Sequence, residues 1–197
     1  MRILVSTSNQ DKVREIKSKL GHRIDLVTKD QAGFKDLDVE ETGLTLEENA
    51  FLKAKALYDL VKEPVFADDT GLYVDSLDGQ PGIYSARYAG EGCSYEDNVK
   101  KLLKDMKDFE DPEDRKAFFE TVICFIDENG RENYIHGRMD GTIAKEKRGD
   151  QGFGYDPIFI PQGFDKSFAE LGLDIKNKIS HRAKAIDKFS DFLRDLK

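Results

Sequence analysis

Tryptophan is absent from this 197-residue chain, cysteine occurs twice, proline five times, and nowhere do 18 apolar residues run together. The last absence excludes a membrane-spanning helix, which needs about 20 such residues. Cys93 stands in a polar loop and Cys124 in an apolar run. They have no metal-ligand spacing, build no disulfide scaffold, and suit a reducing compartment. No basic, apolar leader precedes the strand-like Ile3-Leu4-Val5, so the expected location is the cytoplasm. Linkers rich in Pro, Gly or Ser and internal repeats are missing too, which predicts one domain over residues 1–197. Positive charge is in deficit, with 31 Lys and Arg against 39 Asp and Glu, a formal −8. Such a chain repels polyanions, which argues against nucleic-acid and anionic-membrane partners. A phosphate-bearing ligand must then be held by a local cluster of donors or by a metal. No Walker A loop and no kinase signature is present to do this.

The composition that remains, 39% hydrophobic and 36% charged, describes a folded protein with a heavily charged surface. Its most informative stretch is Phe66-Ala67-Asp68-Asp69-Thr70-Gly71-Leu72-Tyr73-Val74. An apolar run that meets two adjacent carboxylates is either a core strand arriving at a site or a solvated turn, since Asp, Thr and Gly are turn formers. If the backbone stays extended, Asp68 and Asp69 face opposite ways and only one enters a given site.

Upstream, Thr7-Ser8-Asn9-Gln10-Asp11-Lys12 leads from the first strand into a helix with stripe Val13, Ile16, Leu20 and Gly21 as its stop. Two readings stand side by side: an anion cradle at a helix N-terminus, or ordinary capping by Ser8 or Asn9. Arg23 to Val27 reads as a second strand, and in Asp36 to Glu41 alternation sets Asp36, Asp38 and Glu40 on one polar face. Thr45-Leu46-Glu47-Glu48 is a capping box for a helix with stripe Leu46, Ala50, Ala54, Leu57 and Val61. Lys53 borders that stripe and either snorkels outward or reaches into a cleft.

Downstream, Ser94 and Asp97 open a helix with stripe Val99, Leu102, Leu103 and Met106. A β-rich run from Arg115 to Ile126 then turns at Asn129-Gly130, in a type I′ hairpin, into Tyr134-Ile135-His136. His136 reads as a sheet histidine. Gly152-Phe153-Gly154-Tyr155-Asp156-Pro157 is either a plain loop or a place where backbone approaches a planar ligand that Phe153 stacks on. In the terminal helix, with stripe Ile186, Phe189, Leu193 and Leu196, Arg182 falls on the apolar face in the first turn. A cation there opposes the helix dipole and calls for an anionic or carbonyl partner.

These segments together resemble the inosine triphosphate pyrophosphatase family, which hydrolyses non-canonical purine nucleoside triphosphates to the monophosphate and pyrophosphate. The resemblance rests on Thr7-Ser8-Asn9 with Lys12, Glu40-Glu41-Thr42-Gly43, Glu48-Asn49-Ala50 with Lys53, Ala67 to Gly71, Pro81 to Arg87, Gly152 to Pro157 and Ser180-His181-Arg182. It implies an α/β fold, a long twisted mixed β-sheet flanked by helices in two lobes about a nucleotide cleft, and a homodimer. It also implies Mg²⁺ on Glu40 and Asp69, with the neighbouring Glu41 as the competing ligand. Asp69 is expected to activate water, and Lys53 and Lys12 to stabilise the leaving charge. Thr7 to Lys12 would cradle phosphates, Thr70 would touch substrate, and Phe153, Gly154, Tyr155, Asp156, Lys176, His181 and Arg182 would surround the base and sugar phosphate. Ser8 departs from the pattern, because many members carry glycine there and a Cβ narrows the backbone approach. Two other classes fit part of these residues: a nucleotide-binding module without turnover, which needs the cradle but not Asp69, and another metal-dependent phosphohydrolase.

Overall fold

Strand β1 (Arg2–Val5) buries Ile3, Leu4 and Val5 completely and pairs in parallel with β2 (Asp25–Thr28) on one side and β3 (Val65–Val74) on the other. Parallel neighbours need crossovers, and helices α1 (Gln10–Leu20) and α2 (Leu46–Val61) supply them. The computed structural model describes residues 1–20 and 24–196. Gly21 and Arg23, expected to stop the first helix and open the second strand, lie outside the described residues.

Two-residue β4 (Pro81–Gly82) runs antiparallel to β3, and β7 (Phe159–Pro161) antiparallel to β6 (Glu132–Ile143). With β5 (Lys116–Ile126) the described order is β2-β1-β3-β5-β6-β7. A mixed sheet flanked by helices, the α/β class expected from the sequence, is what forms. The remaining helices are α3 (Tyr95–Asp105), α4 (Phe168–Ile179) and α5 (His181–Asp195). Among the described residues no helix is long and apolar enough to cross a membrane.

The chain divides into two compact units: Met1–Asp69 with Thr121–Gly137 and Arg182–Lys197, and Thr70–Glu120 with Arg138–His181. In the first, Ile3, Val5, Phe66, Phe125, Ile186 and Phe189 form one core cluster, with the Phe189 ring 5.1 Å from Phe66 and 5.3 Å from Phe125. Leu4, Ala50, Ala54, Leu57, Val65 and Ala67 form another, which seats α2. The second unit is built on Leu72, Val74, Val99, Leu102, Met106, Phe159 and Phe168.

Several local expectations change. No strand forms over 36–41, because Thr42 N–H turns back onto Glu40 C=O at 3.1 Å. Alternation presumes extended backbone and therefore does not sort these acids. The Asn129-Gly130 turn is not type I′, which needs two positive φ values; Gly130 (φ 78°) has one and Asn129 does not. Asp127 instead accepts the N–H groups of Asn129 and Arg131 at 2.8 and 2.9 Å. Strand β5 starts one residue after Arg115, whose buried guanidinium donates to the carbonyls of Met106, Phe109, Ile143 and Ala144. Leu196 is exposed rather than part of the α5 stripe.

Gly71 follows the acid pair in β3, and the β3–β4 pairing depends on its lacking a side chain. A Cβ there would stand 2.8 Å from both Gly82 O and Tyr73 Cε2. Gly71→Ala is therefore expected to cost about 1–3 kcal/mol. Urea denaturation measures it, and a midpoint equal to the parent's would contradict the close-approach argument.

Candidate functional site

Strand β3 stays extended through Asp68-Asp69-Thr70-Gly71, so the turn reading of this stretch is excluded. Alternation then sends the two acids to different partners. Asp68 is buried and its Oδ2 receives Lys12 Nζ at 3.0 Å and Arg182 Nε at 3.2 Å. The Arg182 guanidinium also donates through Nη1 to Glu15 at 2.5 Å. On the other side Lys53 Nζ lies 2.7 Å from both Asp69 Oδ1 and Glu41 Oε1. Asp69 Oδ2 is buried with no hydrogen-bond partner among the described residues.

Helix position explains who arrives. Lys12 and Glu15 are one turn apart on α1, Lys53 sits a turn below Asn49 on α2, and Arg182 is in the first turn of α5. Lys53 does not snorkel outward: its side chain is 14% exposed and salt-bridged twice. Arg182 finds the anionic partners its place demanded, and they are protein carboxylates. Glu15 carries no apolar signal and was missed by the stripe argument, although its i,i+3 spacing from Lys12 marks it. Glu41, not Glu40, is brought to Lys53; the Glu40 side chain is exposed.

The charges do not balance. Glu15, Glu41, Asp68 and Asp69 outnumber Lys12, Lys53 and Arg182 by one. Burial pushes the Asp68 carboxyl up, but Lys12 and Arg182 beside it hold it well below the usual carboxylate range. Burial, with Glu41 nearby, leaves the Asp69 carboxyl raised despite Lys53 and Lys12. For Lys53, burial acts downward, yet Asp69 and Glu41 together leave the ammonium raised. Lys12 is lowered, chiefly by burial, with Asp68 a partial offset. With Asp69 and Lys53 both raised, the Lys53 side of the cluster holds protons more tightly than free side chains do, which is how a site short of positive charge behaves.

At the head of α1 the capping reading is realised. Thr7 Oγ1 accepts Asn9 N–H at 3.2 Å, and Asn9 Oδ1 accepts the N–H groups of Asp11 and Lys12 at 2.9 and 3.2 Å. Ser8 and Gln10 are exposed, and Asp11 pairs with Arg14.

The second unit holds the remaining candidates. Asp156 Oδ2 accepts Phe153 N–H at 2.9 Å and Lys176 Nζ at 2.6 Å, and that ammonium stands 4.2 Å from the Phe153 ring centroid. Gly152 (φ 81°) is required here, since a Cβ would meet Asp156 Oδ2 at 2.1 Å. Tyr155 is buried, and its hydroxyl donates to Ser85 C=O at 2.8 Å. His181 is buried and stacks on Phe119 with centroids 4.4 Å apart, Gly154 has room around it, and Thr70 is half-buried in β3. Among the described residues no group of three or more His, Cys, Asp or Glu side chains gathers as a metal site.

Comparison with known proteins shows which family the chain resembles over its length. The sequence profile of the Ham1 family matches residues 3–192. The dITP/XTP pyrophosphatase of Thermoanaerobacter pseudethanolicus is 47% identical over 194 residues, covering 98% of this chain and 96% of that protein. That of Bacillus subtilis is 45% identical over 191 residues, 96% of each chain. Among solved structures, the Staphylococcus aureus Ham1 protein superposes with a TM-score of 0.88 at 40% identity, covering 100% of both chains. The nucleoside-triphosphatase / dITP/XTP pyrophosphatase of Mycobacterium abscessus does so at 0.78 and 35%, covering 96% of this chain and 98% of its own.

The two neighbouring acids are expected to behave oppositely in stability. Asp68→Asn leaves buried Lys12 and Arg182 short of a counter-charge and costs about 3–5 kcal/mol. Because the folded Asp68 is depressed, its contribution is complete above the unfolded carboxylate value of about 4 and fades as pH falls below it. Asp69 is raised, so its ionisation costs stability as pH climbs from about 4. Asp69→Asn therefore melts at or above the parent temperature at pH 7. Melting curves at pH 7 and 4 test both; equal losses for the two variants would refute the assignment.

Proposed function

The chain belongs to the Ham1 family, and on that premise we propose that it hydrolyses non-canonical purine nucleoside triphosphates of the dITP, XTP and ITP class to the monophosphate and pyrophosphate. The observation that carries the proposal is Asp69: one carboxylate oxygen rests on Lys53 while the other is buried without a partner. An orphaned carboxylate oxygen in a cluster with one excess negative charge fits a divalent cation. Mg²⁺ suits it, because Mg²⁺ takes one or two protein carboxylates and leaves its other positions to water and phosphate. Asp69 and Glu41 would hold it; Glu40, the ligand that the resemblance implies, is the exposed neighbour of Glu41 in the chain. When bound, the ion neutralises phosphate charge and makes water more acidic.

The protein's own groups do the rest. Asp69, raised by burial, is suited to orient the attacking water and take its proton. Lys53 fixes the Asp69 carboxylate, and Lys12, near it in the same cluster, offsets charge on the departing pyrophosphate as the anhydride between the α and β phosphates breaks. Arg182 serves first to hold Asp68 and Glu15 in place. The Phe153 ring under the Lys176 ammonium has the chemistry of a purine platform. Hypoxanthine and xanthine present an O6 acceptor beside an N1–H donor, the reverse of adenine's edge, so a site that donates to O6 leaves buried groups unpaired with adenine. The same reading includes a homodimer in the cytoplasm; the family resemblance supports the first and the two free thiols the second. Sedimentation equilibrium tests the dimer.

Product analysis is the central test. Mg²⁺-dependent release of pyrophosphate from ITP, dITP and XTP is expected, with ATP disfavoured by about 10⁴-fold in kcat/KM and GTP also poor. Orthophosphate release would indicate another phosphohydrolase, and nucleotide binding without turnover a non-catalytic module. Asp69→Asn is expected to lower turnover by about 10²–10⁴-fold while the fold survives, and activity close to the parent's would remove Asp69 from the mechanism. The rate should rise towards alkaline pH and fall before the ordinary lysine range near 10.4, because burial lowers Lys12. Full activity after exhaustive chelation would rule out the metal.

A further inference from the structure

Glu41 lies in an irregular segment, yet its carboxylate is held 2.7 Å from Lys53. Two buried polar side chains outside the charge cluster fix that segment at its ends. Lys29, directly after β2 and 4% exposed, donates through Nζ to Leu37 C=O, with Lys35 C=O at 3.5 Å. No carboxylate of the described residues pairs with this ammonium; carbonyls alone receive it. Asn49, fully buried on α2, accepts Gly43 N–H on Oδ1 at 2.8 Å. Its Nδ2 is buried with no partner among the described residues. A buried orphan donor is costly, so an amide kept there points to the work of its oxygen. Gly43 presses against α2 so closely that a Cβ would meet Glu48 Cβ at 2.6 Å and Asn49 Oδ1 at 2.7 Å. Glu41 is suspended between these anchors, four residues after Leu37 and two before Gly43.

We propose that Lys29 and Asn49 are positioning residues that set the place of the Glu41 carboxylate, and through it the affinity of the protein for a divalent cation. This rests on the metal reading of Asp69 and Glu41 above. Neither residue touches substrate or cation; each acts through the backbone of residues 37–43. An apolar side chain at either position would leave the segment anchored at one end, and Glu41 would sample positions away from Asp69.

Mn²⁺ binding to the full-length chain without nucleotide, followed by electron paramagnetic resonance, tests this independently of turnover. Lys29→Met and Asn49→Ala are each expected to weaken Mn²⁺ by about 10-fold, as loss of an outer support does at other metal sites. Lys29→Arg, which keeps the donor, should restore binding to within about three-fold of the parent. Added to Glu41→Gln, either variant should weaken Mn²⁺ no further, because both act through the same carboxylate. Affinities within about two-fold of the parent, or an equal further loss in the Glu41→Gln background, would overturn the proposal. If Glu41→Gln itself binds Mn²⁺ like the parent, the metal reading of Glu41 fails first and takes the proposal with it. Should Lys29→Met not fold, as shown by its melting curve, Asn49→Ala decides alone.

Discussion

Two carboxyl groups next to each other in the interior of a strand are the constraint on which the first unit depends. Neither Asp68 nor Asp69 is more than 5% exposed, and an isolated buried carboxylate costs several kcal/mol. Three helices answer that cost from different directions in the sequence: α1 with Lys12, α2 with Lys53 and α5 with Arg182. The apolar stripes of those helices secure them to β1 and β3, and the cations they carry then arrive in register with the acids. Packing and charge are thus one arrangement. The same stripe that buries Ile186 and Phe189 sets Arg182 at Asp68.

The asymmetry between the two acids follows from the partners. Asp68 has two cations and is locked as an anion; Asp69 has one, shared with Glu41. A carboxylate held between two cations is structure, and one that shares a single cation with a second acid is available for chemistry. Adjacent identical residues on a pleated strand acquire these separate characters because their side chains leave on opposite faces.

How much of this was legible in the sequence varies with the physical origin of each feature. Helices α1, α2, α3 and α5 were readable because apolar spacing and caps are local; the capping boxes of Thr45 and Ser94 needed no tertiary information, though Glu48 turns its carboxylate to Leu44 N–H instead of Thr45. Helix α4 carries an equally plain box, Ser167 with Glu170, and it escaped notice because Gly172 (φ 78°) breaks its apolar period. The acid pair was recognisable as a choice between site and turn, and β3's neighbours decided it. Glu41 was the hard case: with no strand at 36–41, periodicity had nothing to act on, and its partner Lys53 is set by α2. The tasks of Lys29 and Asn49 are invisible in sequence for the same reason, since both are defined by backbone groups of a segment without repeating geometry.

Lys53, seated between Asp69 and Glu41, is a counter-charge that the chain itself carries to both carboxylates. It is tethered to α2, so the neutralising charge arrives with the same packing that seats the helix. Folding therefore need not wait for any ligand, because the two acids never stand as a bare pair of negative charges.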